Sequence, residues 1–177
     1  MMGPLTHRLT IALMVLSVAA VRIDAQAQWV AHVNRDGGIT VSMPCAPAWK
    51  EAKTERAGVK AAYTSHISIC NAGDETYLIG WVDYEAGYRP QTEGELNANR
   101  DNLLKALPDA QLLTSTPATY QGLPALDFTA RMGAKHLTSR VVLQGFRPFQ
   151  LVIVTPLNAD RAQNISRFLD SFRVSAK

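Results

Sequence analysis

Four stretches of strand-forming residues, 111–120, 125–131, 136–144 and 149–154, follow one another with only Gln121-Gly122-Leu123-Pro124, Gly133-Ala134-Lys135 and Gly145-Phe146-Arg147-Pro148 between them. Connections this short cannot hold a crossover helix, so neighbouring strands must run antiparallel and the segment reads as a meander. No other feature of the chain restricts its fold as strongly. An antiparallel sheet also has to be covered, and the remaining sequence shows with what.

Residues 76–84 (TYLIGWVDY) are apolar on both faces, as in a central strand with cover on each side. One cover is a helix over 93–107, in which Leu96, Leu103, Leu104 and Leu107 form a stripe while Glu95, Asn99, Asp101 and Lys105 face away. A second helix follows Asn158 as N-cap, with Ala162, Ile165, Phe168, Leu169 and Phe172 as its apolar face. Upstream, residues 29–33 and 39–43 flank Asn34-Arg35-Asp36-Gly37-Gly38, a hairpin turn signal, and residues 61–70 alternate as a strand. The stretch 50–60, with Lys50, Glu51, Lys53, Glu55 and Arg56, reads as a solvated loop. The order is β-β-β-β-α-β-β-β-β-α with Arg173-Val174 as a short terminal strand. This describes an α+β domain, a mainly antiparallel sheet flanked by two helices.

The N-terminus constrains location. Arg8 precedes an uncharged run over 9–21, too short for a spanning helix, which needs ~20 apolar residues. Ala25-Gln26-Ala27 then presents small residues to a signal peptidase, and cleavage is expected between Ala27 and Gln28. Residues 1–27 are thus a signal peptide and 28–177 a single domain, periplasmic or secreted. The first cysteine is Cys45, too late for a lipoprotein anchor, and no stable membrane anchor is expected.

Export makes Cys45 and Cys70 a candidate disulfide, which would stabilise by roughly 3–4 kcal/mol. Two separate buried thiols are the alternative. If the strands ending at these cysteines were hairpin neighbours, the two residues would sit at opposite edges of the sheet. The formal charge of +3, with acids and bases interleaved, lacks the basic stripe that nucleic-acid binding requires.

Four segments together resemble small exported bacterial domains of the Mog1/PsbP-like type. They are Gly38-Ile39-Thr40-Val41-Ser42-Met43-Pro44, Gly122-Leu123-Pro124-Ala125-Leu126-Asp127-Phe128, the run from Gly145-Phe146-Arg147-Pro148 to Val154, and Arg167-Phe168-Leu169-Asp170-Ser171-Phe172-Arg173-Val174. The resemblance implies an α/β/α sandwich and, by its better-known members, a non-enzymatic assembly or regulatory partner. Cys45 departs from the pattern, which has a small turn residue there.

Motifs for chemistry are sparse. His66 and Cys70 lie roughly 13 Å apart along one strand at ~3.3 Å per residue, beyond hydrogen-bond reach. His32, His66 and His136 lack metal-ligand spacing, and there is neither a nucleophile elbow nor a phosphate-binding loop. Asn164-Ile165-Ser166 matches a glycosylation sequon but falls in the second helix. Aromatics and acids cluster only where residues 81–88 run from strand into loop, and Tyr84, Tyr88 and Arg89 are the candidate binding residues there. The expectation is an exported, monomeric accessory domain without cofactor or metal that binds a protein or envelope component. The rivals are a small hydrolase assembled around His66 or His136, and a thiol protein using Cys45 and Cys70.

Overall fold

The computed structural model describes residues 28–55 and 61–175. The expected signal peptide and Ala27 of its cleavage site lie outside the described residues. In chain order the elements are β1 (Val30–Asn34), β2 (Ile39–Met43), β3 (Ala48–Thr54), β4 (Tyr63–Ala72), β5 (Glu75–Tyr84), α1 (Thr92–Ala106), β6 (Ala110–Tyr120), β7 (Leu123–Met132), β8 (Lys135–Gln144), β9 (Arg147–Pro156), α2 (Ala162–Ser171) and β10 (Arg173–Val174).

The meander forms as its short turns require: β6, β7, β8 and β9 pair successively and antiparallel. Its turns place Gly133 and Gly145 at φ of +56° and +62°, where a side chain would be strained. β9 then pairs with β5, giving a seven-stranded sheet in the order β3-β4-β5-β9-β8-β7-β6. A separate three-stranded sheet, β1-β2-β10, completes the molecule. A single sheet was expected, so the sandwich between two helices is only approximate.

Each face of the large sheet has its own core. On one side α1 lays Leu96, with Leu103, Leu104 and Leu107 beside it, over Phe128, Leu137, Val141 and Val152. On the other side α2 and the small sheet bury Phe168, Phe172, Val41 and Met43 against Tyr77, Ile79, Trp81, Phe149 and Leu151. The alternation along β5 divides the two cores: Tyr77, Ile79 and Trp81 point to the second, Leu78 to the first.

Three local expectations are corrected. Residues 50–54, read as part of a solvated loop, belong to the edge strand β3. Nearly every side chain of β3 is exposed, so it shows no apolar alternation, and Lys50, Glu51 and Lys53 are the charges that keep an unpaired edge from pairing further. The N-cap of α2 is Arg161 rather than Asn158, and the Asp160 carboxylate accepts from the Ala162 amide (3.2 Å). Glu95, expected to face solvent, is 5% exposed and points inward.

β3 also brings the cysteines together. It pairs antiparallel with β4, Ala48 opposite Ile69, which sets Cys45 beside Cys70 with a Cα–Cα distance of 5.7 Å and joins them in a disulfide. The geometric obstacle assumed that β2 and β4 were neighbours, whereas β2 belongs to the other sheet.

Candidate functional site

A cleft opens where the β1–β2 turn meets the edge formed by β3, β4 and β5. Asn34 Oδ1 accepts from the Gly37 amide (2.7 Å) and closes that turn. Gly37 packs flat on the Trp81 indole, where an added Cβ would lie 3.0 Å from ring carbons. Arg147, at the start of β9, fixes the same turn from behind. It donates to the Gly37 carbonyl (3.3 Å) and binds Asp83 Oδ1 through Nε (2.6 Å) and Nη2 (2.5 Å).

Trp81, 3% exposed, forms the floor. Its Nε1 donates to Asp83 Oδ2 (3.3 Å), and the His66 ring lies parallel on it, centroids 4.6 Å apart and planes 8° off. The stacking follows from register, because His66 and Trp81 are direct partners across β4 and β5. His66 Nε2 faces Asp83 Oδ2 (3.2 Å) and Nδ1 faces Glu51 Oε2 (3.4 Å). Trp49 completes the wall, 41% exposed and inclined 64° to Trp81 at 5.7 Å. The cleft so enclosed has a volume of about 260 Å³ and is lined also by Asn34, Asp36 and Lys50.

A histidine beside two carboxylates is the juxtaposition a hydrolase reading asks for. Here each ring nitrogen faces one acid, and no serine, threonine or cysteine bonds to His66 among the described residues. The Trp81 stack and the two acids hold the ring in place, and the described residues set no side-chain nucleophile against it. His136 sits at the opposite end of the sheet, in register with Arg131 and Thr155, and His32 lies on β1 opposite Val41. The three histidines do not converge. No group of three metal-ligating side chains forms among the described residues. Cys70 is buried in a core with Cys45 packed on it, which leaves no thiol for exchange chemistry.

Of the residues singled out in the sequence, Tyr84 spends its hydroxyl internally, donating to Glu95 Oε1 (2.5 Å). Glu95 also accepts from Asn99 Nδ2 (2.8 Å). Burial, then the bond to Glu95, pushes the Tyr84 phenol well above its ordinary value. Tyr88 leans on the Tyr84 ring (4.7 Å), and Arg89 lies over Phe146 (4.5 Å). Tyr84 lines a second cleft, of about 310 Å³, with Tyr63, Lys53 and Thr54; Tyr88 and Arg89 do not. The sequon residue Asn164 donates from Nδ2 to the buried Glu75 (3.0 Å).

Sequence reasoning missed Trp49, Glu51 and Arg147. The signal for the first two was Trp49, Glu51 and Lys53 at every second position, the period of a strand, masked by charge on both faces.

Neither a family model nor a curated protein matches this sequence. Among solved structures the chain is similar to cyanobacterial PsbP (CyanoP) from Synechocystis sp. PCC 6803, with a TM-score of 0.56 and 14% identity over 98% of this chain and 100% of that one. A protein of unknown function from Pseudomonas aeruginosa also matches, at a TM-score of 0.39 and 15% identity over 77% and 88%. The first likeness shows a PsbP-like fold, as the four segments implied.

Proposed function

We propose that this chain is an exported, non-enzymatic accessory domain that binds a protein or envelope component through the cleft between Trp49, His66 and Trp81. One observation carries the reading: the cleft is walled by two indoles and a stacked histidine, with Trp81 fixed by Gly37 and Asp83. A site built this way offers a shaped surface and hydrogen bonds, the means of recognition. The disulfide fits an oxidising compartment, and the PsbP-like fold fits an accessory role.

The hydrolase alternative draws on the His66–Asp83 contact, and among the described residues no serine, threonine or cysteine bonds to that histidine. Crosslinking in the native cells tests the proposal. A photoreactive phenylalanine in place of Lys50, on the rim of the cleft, should capture a defined component. The same group in place of Arg131, exposed on β7, should not. Equal capture from both positions removes the cleft as the binding surface.

A further inference from the structure

We propose that the Trp49 cleft takes a neutral sugar ring, stacked by its C–H face on the exposed indole, so that the envelope component recognised is a glycan. The inference rests on the binding reading above and narrows its ligand.

Four features carry it. First, Trp49 is 41% exposed and meets Trp81 at 64°, which leaves an indole face open to solvent beside a fixed floor. An aromatic face with a polar border suits a ligand that is apolar on one side and wet on the other. Second, donors and acceptors both line the cleft beside that ring. Asn34 brings its amide, Lys50 its ammonium, and Asp36 and Glu51 their carboxylates. Adjacent hydroxyls each donate and accept, and this mixture satisfies both.

Third, the permanent charges nearly balance, three acids (Asp36, Glu51 and Asp83) against two bases (Lys50 and Arg147). Asp83 is held by Arg147 and His66, Glu51 stands beside His66, and Lys50 shares the rim with Asp36. One acid in excess is less than a cage selecting cations would gather around the indoles, and an anion site would need excess base. Fourth, the floor is rigid before any ligand arrives. Trp81 is fixed by Gly37, Asp83 and the His66 stack, and the turn by Arg147. A preorganised floor limits the ordering cost that weakens small-ligand binding. At about 260 Å³ the cleft is at the small end for ligand sites, suited to one ring with the rest of the chain in solvent.

Titration of the chain with β-1,4-linked N-acetylglucosamine tetramer and with cellotetraose, followed by the indole N–H resonance of Trp49, tests this. Tetramethylammonium and inorganic phosphate serve as charged probes. The expected result is a saturable shift with at least one oligosaccharide, at a Kd of about 1 mM. The two sugars differ in the N-acetyl group, so the better binder tells which glycan class is read.

Trp49→Ala should weaken binding by about tenfold or more, and Trp49→Phe, which keeps an aromatic face, by less. Each variant's amide spectrum verifies its fold. The proposal is overturned if neither sugar gives a saturable shift, if tetramethylammonium or phosphate moves the indole as the sugars do, or if a folded Trp49→Ala binds unchanged. A protein captured from position 50 with no sugar response would overturn the glycan alone and leave the binding reading standing.

Discussion

Strand β5 carries three carboxylate–aromatic groupings, and their environments divide them into two kinds. Near its start the Glu75 carboxylate, 6% exposed, accepts from the Tyr77 hydroxyl (2.5 Å) and from Asn164 Nδ2, with Arg161 Nε 3.0 Å away as an ion pair. At its end Tyr84 and Asn99 meet the buried Glu95. The two nodes use the same three residue types, and each fastens one helix to one face of the sheet, α2 through Asn164 and α1 through Glu95 and Asn99. Between them, at Trp81, the carboxylates of Glu51 and Asp83 flank His66 at the open rim, with side chains 54% and 37% exposed. Where the polar groups are buried and turned on one another they hold the fold. Where bonds are left over, the molecule has a surface for something else.

The sharpest way to break this division is to delete one carboxylate of the buried kind. Glu75→Ala leaves the Tyr77 hydroxyl, the Asn164 amide and the Arg161 guanidinium without their common acceptor, which should cost about 3–5 kcal/mol. Thermal unfolding should fall by roughly 10 °C, at ~2–4 °C per kcal/mol for a domain of this size. Glu95→Ala removes the acceptor of two groups instead of three, and should cost about 2–3 kcal/mol. A loss below ~1 kcal/mol for either would mean that water replaces these ties and the division is false.

The sequence showed one kind of region far better than the other. The meander was legible because its strand-forming stretches follow one another across short connections, each of which carries a glycine. α1 and α2 were legible because Leu96 to Leu107 and Ile165 to Phe172 repeat at helical spacing. Glu95 was misread, since a glutamate on a helix belongs in solvent unless a distant partner calls it inward. That partner, Tyr84, lies outside any helical window. β3 was missed because an edge strand solvated on both faces has no periodic signature. Without β3 the cleft could not be drawn, for its walls come from the β1–β2 turn, β3, β4, β5 and β9. Only folding joins Asn34, Trp49, His66, Asp83 and Arg147.

The two tyrosine nodes make a second difference measurable with pH. Burial, followed by the bonds to Glu75 and Glu95, raises the phenols of Tyr77 and Tyr84 well above the ordinary value near 10. The folded state therefore keeps both protons where the unfolded chain gives them up. Below pH 10 the protons are bound in both states and the stabilisation is complete. Above it stability falls by about 1.4 kcal/mol per pH unit for each tyrosine, a joint loss of about 3 kcal/mol by pH 11. In unfolding titrations between pH 9 and 11, Tyr84→Phe should halve the contribution of this pair to the slope. An unchanged slope would show that this node is open to solvent and resembles the rim.

The smallest effect is expected at the rim itself, where the comparison is tightest because the residue type is the same. Glu51 touches His66 at 3.4 Å, but its side chain is 54% exposed and its second oxygen has no partner among the described residues. An exposed pair of this kind is worth less than about 1 kcal/mol and weakens as salt screens it. His66 keeps its stack on Trp81 and its contact with Asp83 when Glu51 is gone, so little else relaxes. Glu51→Ala should therefore unfold within about 1 kcal/mol of the parent, and the gap should narrow further in molar salt. A loss approaching that of Glu75→Ala would make Glu51 a third structural tie. Asp36 would then be the carboxylate left on the rim for a ligand.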